Sequence, residues 1–379
     1  MKARYVIAVA IACLLVMSLV FSFVFLGSPP KKEYQDVFVG IDAAYDSPEE
    51  IKTLVDAVSS YTNFFVIGSK GITFNETKLE DIAQYIYDKG LSFIVYTDDH
   101  YGQLPSRQWI NSAKSRWGNR FLGLYIFDEI GGKQLDRWNY TAVHNATDYT
   151  DAGKQYVSNV NGWVQDVLAN VTVMDQLKIF SSDYALYWFD YKAGYDTIFA
   201  EFTQNYSRQL SVALCRGAAL AHNKDWGVVI TWAKNQTLES GEKLYEDMAF
   251  AYENGAKYIL IFDTNENYTH GVLGEEHFQA IKDFTRYAHE NPRTNGSTRE
   301  RTAFVLPKDF GYGFRGPTDR IWGLWEADSD PLAYQFSVRL GSILQYYGNK
   351  LDVIYDDGVN YNALGYDRLI FWNGTIRSS

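Results

Sequence analysis

Eight short apolar segments, nearly all followed by a segment with helical periodicity, constrain the fold of this 379-residue chain more than any other feature. The segments are apolar throughout rather than alternating, which is typical of parallel strands covered on both faces. They begin at Val37, Phe64, Leu91, Phe121, Leu177, Asp196, Trp226 and Lys257. Over residues 36–291 this pattern predicts a (β/α)8 barrel of ordinary size, with an open doubly wound sheet as the alternative.

A second α/β pattern follows a polar linker, Pro292–Arg301. It comprises predicted strands at Ala303–Leu306, Leu351–Tyr355 and Arg368–Trp372, and a helix at Pro331–Tyr347. So few strands do not form a stable sheet alone. We therefore expect residues 301–379 either to pack on the barrel or to open a larger domain that is truncated here, and we favour the second.

The N-terminus has the pattern of a membrane anchor. Lys2 and Arg4 precede an uncharged run, Tyr5–Leu26, which as a helix would extend about 33 Å and cross a bilayer. A cleaved signal peptide is the alternative, but its apolar region is usually shorter. We predict an uncleaved signal anchor over residues 1–30.

Asn-x-Ser/Thr glycosylation sequons are far more frequent than this composition gives by chance. They lie at Asn75, Asn139, Asn145, Asn170, Asn205, Asn235, Asn267, Asn295 and Asn373. Such acceptors function on the surface of exported proteins. We therefore predict a single-pass membrane protein whose body lies on the extracytoplasmic side.

Acidic residues stand at the ends of most predicted barrel strands, where (β/α)8 barrels have their active sites. They include Asp42, Asp98, Asp128, Glu129, Glu201 and Asp263. Glycoside hydrolysis requires two carboxyl groups that flank the scissile bond. We predict Glu129 as the proton donor and Glu201 as the base or nucleophile. Gly131 and Gly132 follow Glu129 and are expected to let a ligand approach the backbone closely.

The composition indicates a sugar ligand. Aromatic residues reach 16%, and their rings stack on sugar C–H faces. We predict substrate binding by Tyr96 and Trp232, together with the carboxylates of Asp42, Asp98, Asp128 and Asp263.

The net charge of -11 without a basic stretch excludes a typical nucleic-acid binder. No metal-ligand spacing and no phosphate-binding loop occurs, so we expect no cofactor; Asp98–His100 is a weaker candidate for a hard cation.

Three stretches carry a resemblance to glycoside-hydrolase-type (β/α)8 proteins. Gly123–Glu129 resembles the acid/base strand of the large retaining clan, and Ser211–Val228 is similar to an Arg-Gly-to-Trp-Gly passage of barrel hydrolases. Ala303–Trp372 resembles the start of the flavodoxin-like, amidotransferase-like domain that follows the barrel in β-galactosidase-type enzymes. The resemblance implies hydrolysis of O-glycosyl bonds.

One departure from the clan affects this interpretation. The clan places its nucleophilic glutamate at the end of strand seven, where this chain has Ile230-Thr231-Trp232. Glu201 or an aspartate must then take that role. The leading hypothesis is a membrane-anchored, extracytoplasmic glycoside hydrolase acting on a polysaccharide or glycoprotein glycan. A non-catalytic carbohydrate-binding or cell-envelope barrel and a metal-assisted hydrolase are the alternatives.

Overall fold

A computed structural model describes residues 37–97, 105–203, 206–232, 237–293, 300–316 and 319–378. Eight parallel strands, hydrogen-bonded in sequence order, close into a barrel, which confirms the predicted fold and excludes the open sheet. The strands are β1 (Phe38–Ala43), β2 (Phe64–Ile67), β3 (Ser92–Thr97), β4 (Phe121–Ile126), β5 (Lys178–Asp183), β6 (Thr197–Phe202), β7 (Asp225–Ile230) and β8 (Tyr258–Asp263).

Helices surround the barrel. They are α1 (Pro48–Val58), α2 (Lys70–Thr73), α3 (Glu76–Asp88), α4 (Arg107–Trp117), α5 (Ile130–Asp136), α6 (Tyr149–Leu168), α7 (Tyr187–Ala193), α8 (Arg208–Ala221), α9 (Gly241–Glu253) and α10 (Glu275–Glu290). Several begin at a serine whose hydroxyl accepts a backbone N–H from the first turn, namely Ser47, Ser106, Ser207 and Ser240.

Three short helices, α2, α5 and α7, were not predicted from periodicity. Each has only four to seven residues, too few to show a helical repeat in the sequence. The N-caps of α5 and α7, Glu129 and Leu186, are left-handed and lack a side-chain cap. Tertiary contacts rather than local propensity therefore form these two helices, and α5 carries part of the candidate site.

The barrel interior is filled by rings rather than open as a pore. Phe64, Phe180, Phe199 and Tyr258 form an inner cluster with ring centroids 5.4–5.9 Å apart. Near the N-terminal ends of the strands, the Asp225 carboxylate binds two lysine ammonium groups. The N-terminal end is thus filled and ion-paired, which leaves the C-terminal end of the barrel for chemistry.

Residues 302–378 form a four-stranded mixed sheet. Its elements are β9 (Thr302–Leu306), α11 (Pro331–Tyr347), β10 (Leu351–Tyr355), β11 (Arg368–Phe371) and β12 (Ile376–Ser378). The strand order is β10–β9–β11–β12. The first three strands are parallel, and β12 is antiparallel to β11. One continuous apolar core joins this sheet to the barrel, so the segment packs on the barrel.

Arg216 on α8 connects the two parts. Its guanidinium donates to the Asp352 carboxylate at 2.7 Å, to the carbonyl oxygens of Asn349 and Leu351 at 2.8 and 3.0 Å, and to Asn254 Oδ1 at 3.0 Å. A Cβ on the next residue, Gly217, would lie 2.3 Å from a backbone oxygen of β10. The Arg-Gly pair of the resemblance therefore joins α8 to β10.

The membrane prediction concerns residues 1–30, which lie outside the described residues. In the part of the chain that is described, no helix combines the length and apolarity needed to cross a bilayer. Six of the nine sequon asparagines are described and all six are exposed: Asn75, Asn139, Asn145, Asn170, Asn267 and Asn373. Asn205, Asn235 and Asn295 lie outside the described residues.

Candidate functional site

The structure brings the two predicted catalytic carboxyl groups together. Glu129 follows β4 and Glu201 lies within β6, and the two carboxyl groups are close enough to shift each other's pKa. Glu201 is only 6% exposed, and the Ser182 hydroxyl donates to its Oε1 at 2.8 Å. The pair lies at the C-terminal end of the barrel, where side chains from different strands converge.

A strained turn holds Glu129 in this position. Phe127 and Glu129 both have left-handed backbone conformations, with φ of 58° and 54°. Each such conformation costs a non-glycine residue on the order of 1 kcal/mol. The Glu129 N–H donates to the Ser182 carbonyl at 2.8 Å, and the Ser181 hydroxyl donates to the Phe127 carbonyl at 3.1 Å. The adjacent strand β5 therefore stabilises the turn.

The buried carboxylate of Asp183 organises the same region from β5. It accepts backbone N–H groups from Gly131 at 2.5 Å, Gly132 at 2.8 Å, Tyr184 at 2.7 Å and Ala185 at 3.0 Å. Burial raises its pKa to about 7, and these four bonds act in the opposite direction. Asp183 thus joins the first turn of α5, and with it Glu129, to the loop after β5.

A second buried acid, Asp190, lies next to Asp183. The Tyr156 hydroxyl donates to Asp190 Oδ1 at 2.6 Å. Burial, and then the negative charge of Asp183, raise the pKa of Asp190 well above its ordinary value. Burial and the neighbouring carboxyl group thus both oppose a second negative charge at this contact.

The predicted role of the glycines after Glu129 is wrong. A Cβ on Gly131 would lie 2.6 Å from the Ala185 carbonyl oxygen, and one on Gly132 would lie 2.0 Å from the Tyr184 ring. These positions are filled by the protein itself and leave no room for a ligand. Both residues are glycine because α5 packs directly on the loop after β5.

The charges around the pair differ for the two glutamates. The Lys133 ammonium lies 3.3 Å from Glu129 Oε2 and 3.1 Å from Asp128 Oδ1. Burial and then Asp128 raise the pKa of Glu129, whereas Lys133 and a hydrogen bond from Glu201 oppose the rise. Burial, followed by the charge of Glu129, raises the pKa of Glu201 well above its ordinary value. Burial therefore raises the pKa of both glutamates, and the Lys133 ammonium lies on the Glu129 side of the pair.

Asp42 is a third acid near the pair. It projects from β1, is 4% exposed, and its Oδ1 has no hydrogen-bond partner in the described part of the chain. Burial, followed by the charges of Asp128 and Asp263, raises its pKa well above the ordinary value. A buried acid without a partner is available to a substrate hydroxyl, so its predicted binding role stays a prediction.

Asp263 has a different environment from the one expected. Its Oδ1 accepts the N–H groups of Val272 at 2.5 Å and Leu273 at 3.0 Å, and Tyr45 also bonds its carboxyl group. Phe262, the preceding residue, packs against the inner cluster, so Asp263 points to the opposite face of β8. We therefore assign Asp263 a structural role, in which its carboxyl group fixes the loop after β8.

Asp98, which was also predicted to bind substrate, lies outside the described residues.

Aromatic side chains form one wall of the barrel mouth. Tyr96 meets Tyr125 edge to face at 5.3 Å. Trp232 donates its Nε1–H to the Thr264 carbonyl at 2.8 Å and lies 5.4 Å from Phe262 and 6.3 Å from Tyr268. Tyr268 is 51% exposed. The wall thus offers ring faces to a ligand at the mouth.

Sequence reasoning missed Lys133 and Trp138. Trp138 is 59% exposed, with the Lys133 ammonium 5.5 Å from its ring centre. Lys133 stands four residues after Glu129, which on a helix is the spacing of an ion pair. The sequence contains this spacing, but the spacing indicates an ion pair only once α5 is recognised as a helix.

Among the described residues, no cluster of three His, Cys, Asp or Glu is arranged to hold a metal ion.

Comparison with solved structures shows the same architecture. The β-galactosidase of the Antarctic haloarchaeon Halorubrum lacusprofundi superposes with a TM-score of 0.57, at 10% identity over 88% of this chain and 69% of that chain. The β-galactosidase of Marinomonas ef1 gives a TM-score of 0.54, at 10% identity over 88% and 72% of the two chains. The fold shared with these two enzymes is the (β/α)8 barrel. No protein-family model and no curated protein matches the chain.

Proposed function

We propose that this protein hydrolyses O-glycosidic bonds with Glu129 and Glu201 as its catalytic pair. The observation that carries the proposal is the proximity of two carboxyl groups at the C-terminal mouth of the barrel, with the Lys133 ammonium beside Glu129 and with Glu201 buried. We assign the carboxylate to Glu129 and the acid to Glu201, the reverse of the roles expected from the sequence. Glycoside hydrolysis requires this combination of an acid and an anionic carboxylate.

We propose the retaining reaction. Carboxyl groups in retaining enzymes are about 5–5.5 Å apart, whereas inverting enzymes need about 6.5–9.5 Å to admit a water molecule between them. The support for the shorter separation is that Glu129 and Glu201 shift each other's pKa. In the first step Glu201 donates its proton to the glycosidic oxygen while a Glu129 oxygen bonds to the anomeric carbon. In the second step Glu201 removes a proton from water, whose oxygen displaces Glu129.

Polysaccharides or glycoprotein glycans are the substrates that this mouth favours. Trp232 and Tyr268 present ring faces, and Asp42 and Asp128 supply oxygens for sugar hydroxyls. A site that combines aromatic faces with a few convergent polar groups suits a sugar chain.

We also propose that the protein is membrane-anchored with its body on the extracytoplasmic side. The support is the uncharged run Tyr5–Leu26 after Lys2 and Arg4, and the excess of sequons. The exposure of all six described sequon asparagines is compatible with their use as acceptors. Shifts in electrophoretic mobility after deglycosylation of the natively expressed protein would test the location.

The C-terminal sheet is proposed to be a flavodoxin-like, amidotransferase-like unit. Its three parallel strands have the order β10–β9–β11, which is the 2-1-3 start of flavodoxin-like topology. The alignment with each of the two β-galactosidase structures covers 88% of the chain. Residues 1–36 and the barrel together make up less than this share, so each alignment extends into the C-terminal segment.

The catalytic proposal is tested by turnover on a panel of glycans and aryl glycosides. We expect Glu129→Gln to lower kcat by about 1,000-fold or more, because positioned carboxyl groups contribute on the order of 100–10,000-fold each. For Glu129→Ala, added azide should restore turnover and yield a glycosyl azide of inverted configuration. The exposed Glu290→Gln is the matched control. Unchanged turnover in Glu129→Gln refutes the assignment, and glycan binding without any hydrolysis by the wild type supports the non-catalytic alternative.

A further inference from the structure

A pocket of about 430 Å³ lies between the end of α5 and the loop that connects β9 to α11. It is formed jointly by the barrel and the C-terminal segment. The lining residues are Leu135, Asp136, Arg137, Tyr206, Arg315, Gly316, Asp319 and Arg320. Three of these eight residues are arginines, in a chain whose net charge is -11.

Arg315 pairs with both acids of this pocket. Its Nη2 lies 2.6 Å from Asp319 Oδ1 and its Nε 3.2 Å from Asp319 Oδ2, while its Nη1 lies 2.8 Å from Asp136 Oδ1. The side chain is 14% exposed and stacks against the Tyr184 ring at 5.4 Å. Arg315 is therefore fixed in place before any ligand arrives, which lowers the entropy that binding must offset.

The eight lining residues carry three arginines and two aspartates, which is one positive charge in excess. Arg320 pairs with Glu326, a mostly exposed residue outside the lining. Within the described part of the chain, no carboxylate lies within ion-pairing distance of Arg137, which is exposed at the end of α5. A planar guanidinium with unused N–H donors is the side chain best suited to a carboxylate or sulfate.

The pocket is close to the catalytic pair and on the substrate side of the barrel. Helix α5 begins next to Glu129 and ends at the pocket, which at about 1.5 Å per residue places the two about 10 Å apart. Tyr206, on the opposite wall, follows the strand that carries Glu201. Tyr184 connects the two regions, since its hydroxyl bonds Asp136 at 2.6 Å and its ring contacts Gly132.

We propose that this pocket binds an anionic substituent of the glycan, either the carboxylate of a uronic acid or a sulfate ester, on a sugar near the bond that the pair cleaves. The proposal rests on the proposed function and narrows the substrate class to acidic glycans. Arg137 and Arg320 bind the substituent, and Arg315 fixes the walls by joining α5 to the C-terminal segment.

Binding is measured separately from catalysis, by calorimetric titration of the full chain carrying Glu129→Gln. The probes are three oligosaccharides of equal length: neutral, uronate-containing and sulfated. We expect an acidic probe to bind at least about tenfold more tightly than the neutral one, and high salt to reduce this difference. Adding Arg137→Gln should weaken acidic binding about tenfold and leave neutral binding unchanged. The control is Arg286→Gln, an exposed arginine on α10.

The outcomes separate this inference from the proposed function. Preference for either acidic probe that Arg137→Gln removes supports the pocket, and the probe that binds identifies the substituent. If an acidic probe binds in this way but the wild type hydrolyses no glycan, the assignment of the pocket stands and the catalytic proposal is rejected. Three results overturn the inference even if neutral glycans are hydrolysed. They are equal binding of acidic and neutral probes, no binding of any probe, and equal effects of Arg137→Gln and Arg286→Gln.

Discussion

Replacing Glu201 with glutamine should abolish turnover and at the same time stabilise the protein at neutral pH. Glutamine keeps the shape of the side chain and can still accept the hydrogen bond from Ser182. It removes an acid whose pKa burial, and then the charge of Glu129, raise well above the ordinary 4.5. The folded chain therefore no longer has to hold a proton that the unfolded chain releases.

The sign and size of this stabilisation follow from proton binding. Between about pH 4.5 and the higher pKa of the folded state, the folded protein binds more protons than the unfolded one, so stability decreases as the pH rises through this window. Each pH unit between the ordinary and the raised pKa amounts to about 1.4 kcal/mol of stability. Ionising Glu201 instead would add a second negative charge beside Glu129.

Calorimetric unfolding at acidic and neutral pH checks this prediction. For a chain of this length, about 1.4 kcal/mol corresponds to a rise in Tm of about 2 °C. We expect Glu201→Gln to raise Tm by at least about 2 °C at neutral pH and by almost nothing at about pH 3, where the wild-type acid is protonated in both states. The exposed Glu290→Gln should change Tm by less than about 1 °C at either pH. A Glu201→Gln variant that is less stable than the wild type at neutral pH, or whose gain does not vary with pH, refutes the reasoning.

Two further substitutions test the packing and the charges. Arg216→Met should lower the free energy of unfolding by about 3–5 kcal/mol, measured by denaturant titration, because it leaves a fully buried aspartate on β10 without its cation. The matched Arg286→Met, at a pair exposed on α10, should cost less than about 1 kcal/mol; equal losses would contradict the assignment of Arg216 to the interface. Lys133→Met should raise the pKa of Glu129 further, since Lys133 opposes the rise that burial causes. The acidic limb of the kcat/KM profile should then move to higher pH, and an unmoved limb would show that Glu129 is not the essential carboxylate.

The barrel and its main elements were predictable because their signals are local. Continuous apolar runs distinguish covered parallel strands, and serine caps and proline mark helix starts such as Ser47-Pro48. Most predicted boundaries differ from the observed ones by one or two residues. The convergence of Glu129 and Glu201 was also predictable, since strand ends of a closed barrel meet at one mouth.

The short helices and the roles of individual side chains were not predictable in this way. Helix α5 forms because Asp183, more than 50 residues away, accepts the N–H groups of its first turn. Without that helix, Lys133 had no expected partner, and Gly131 and Gly132 resembled a ligand-binding turn. Asp263 was placed in the site by its position at a strand end, but the alternation of side chains along β8 turns it toward a loop.

The amino-acid sequence by itself therefore determined the (β/α)8 architecture, the elements of the C-terminal sheet and the two glutamates of the candidate site, because each depends on residue type and local periodicity. Only the tertiary structure decided which charges surround each glutamate and how the C-terminal segment completes an arginine-lined pocket. These properties depend on burial and on distances between residues far apart in the chain, such as Lys133 beside Glu129 and Arg315 between Asp136 and Asp319. The energy of a charge is set by its surroundings rather than by its own chemistry, and those surroundings exist only in the folded chain.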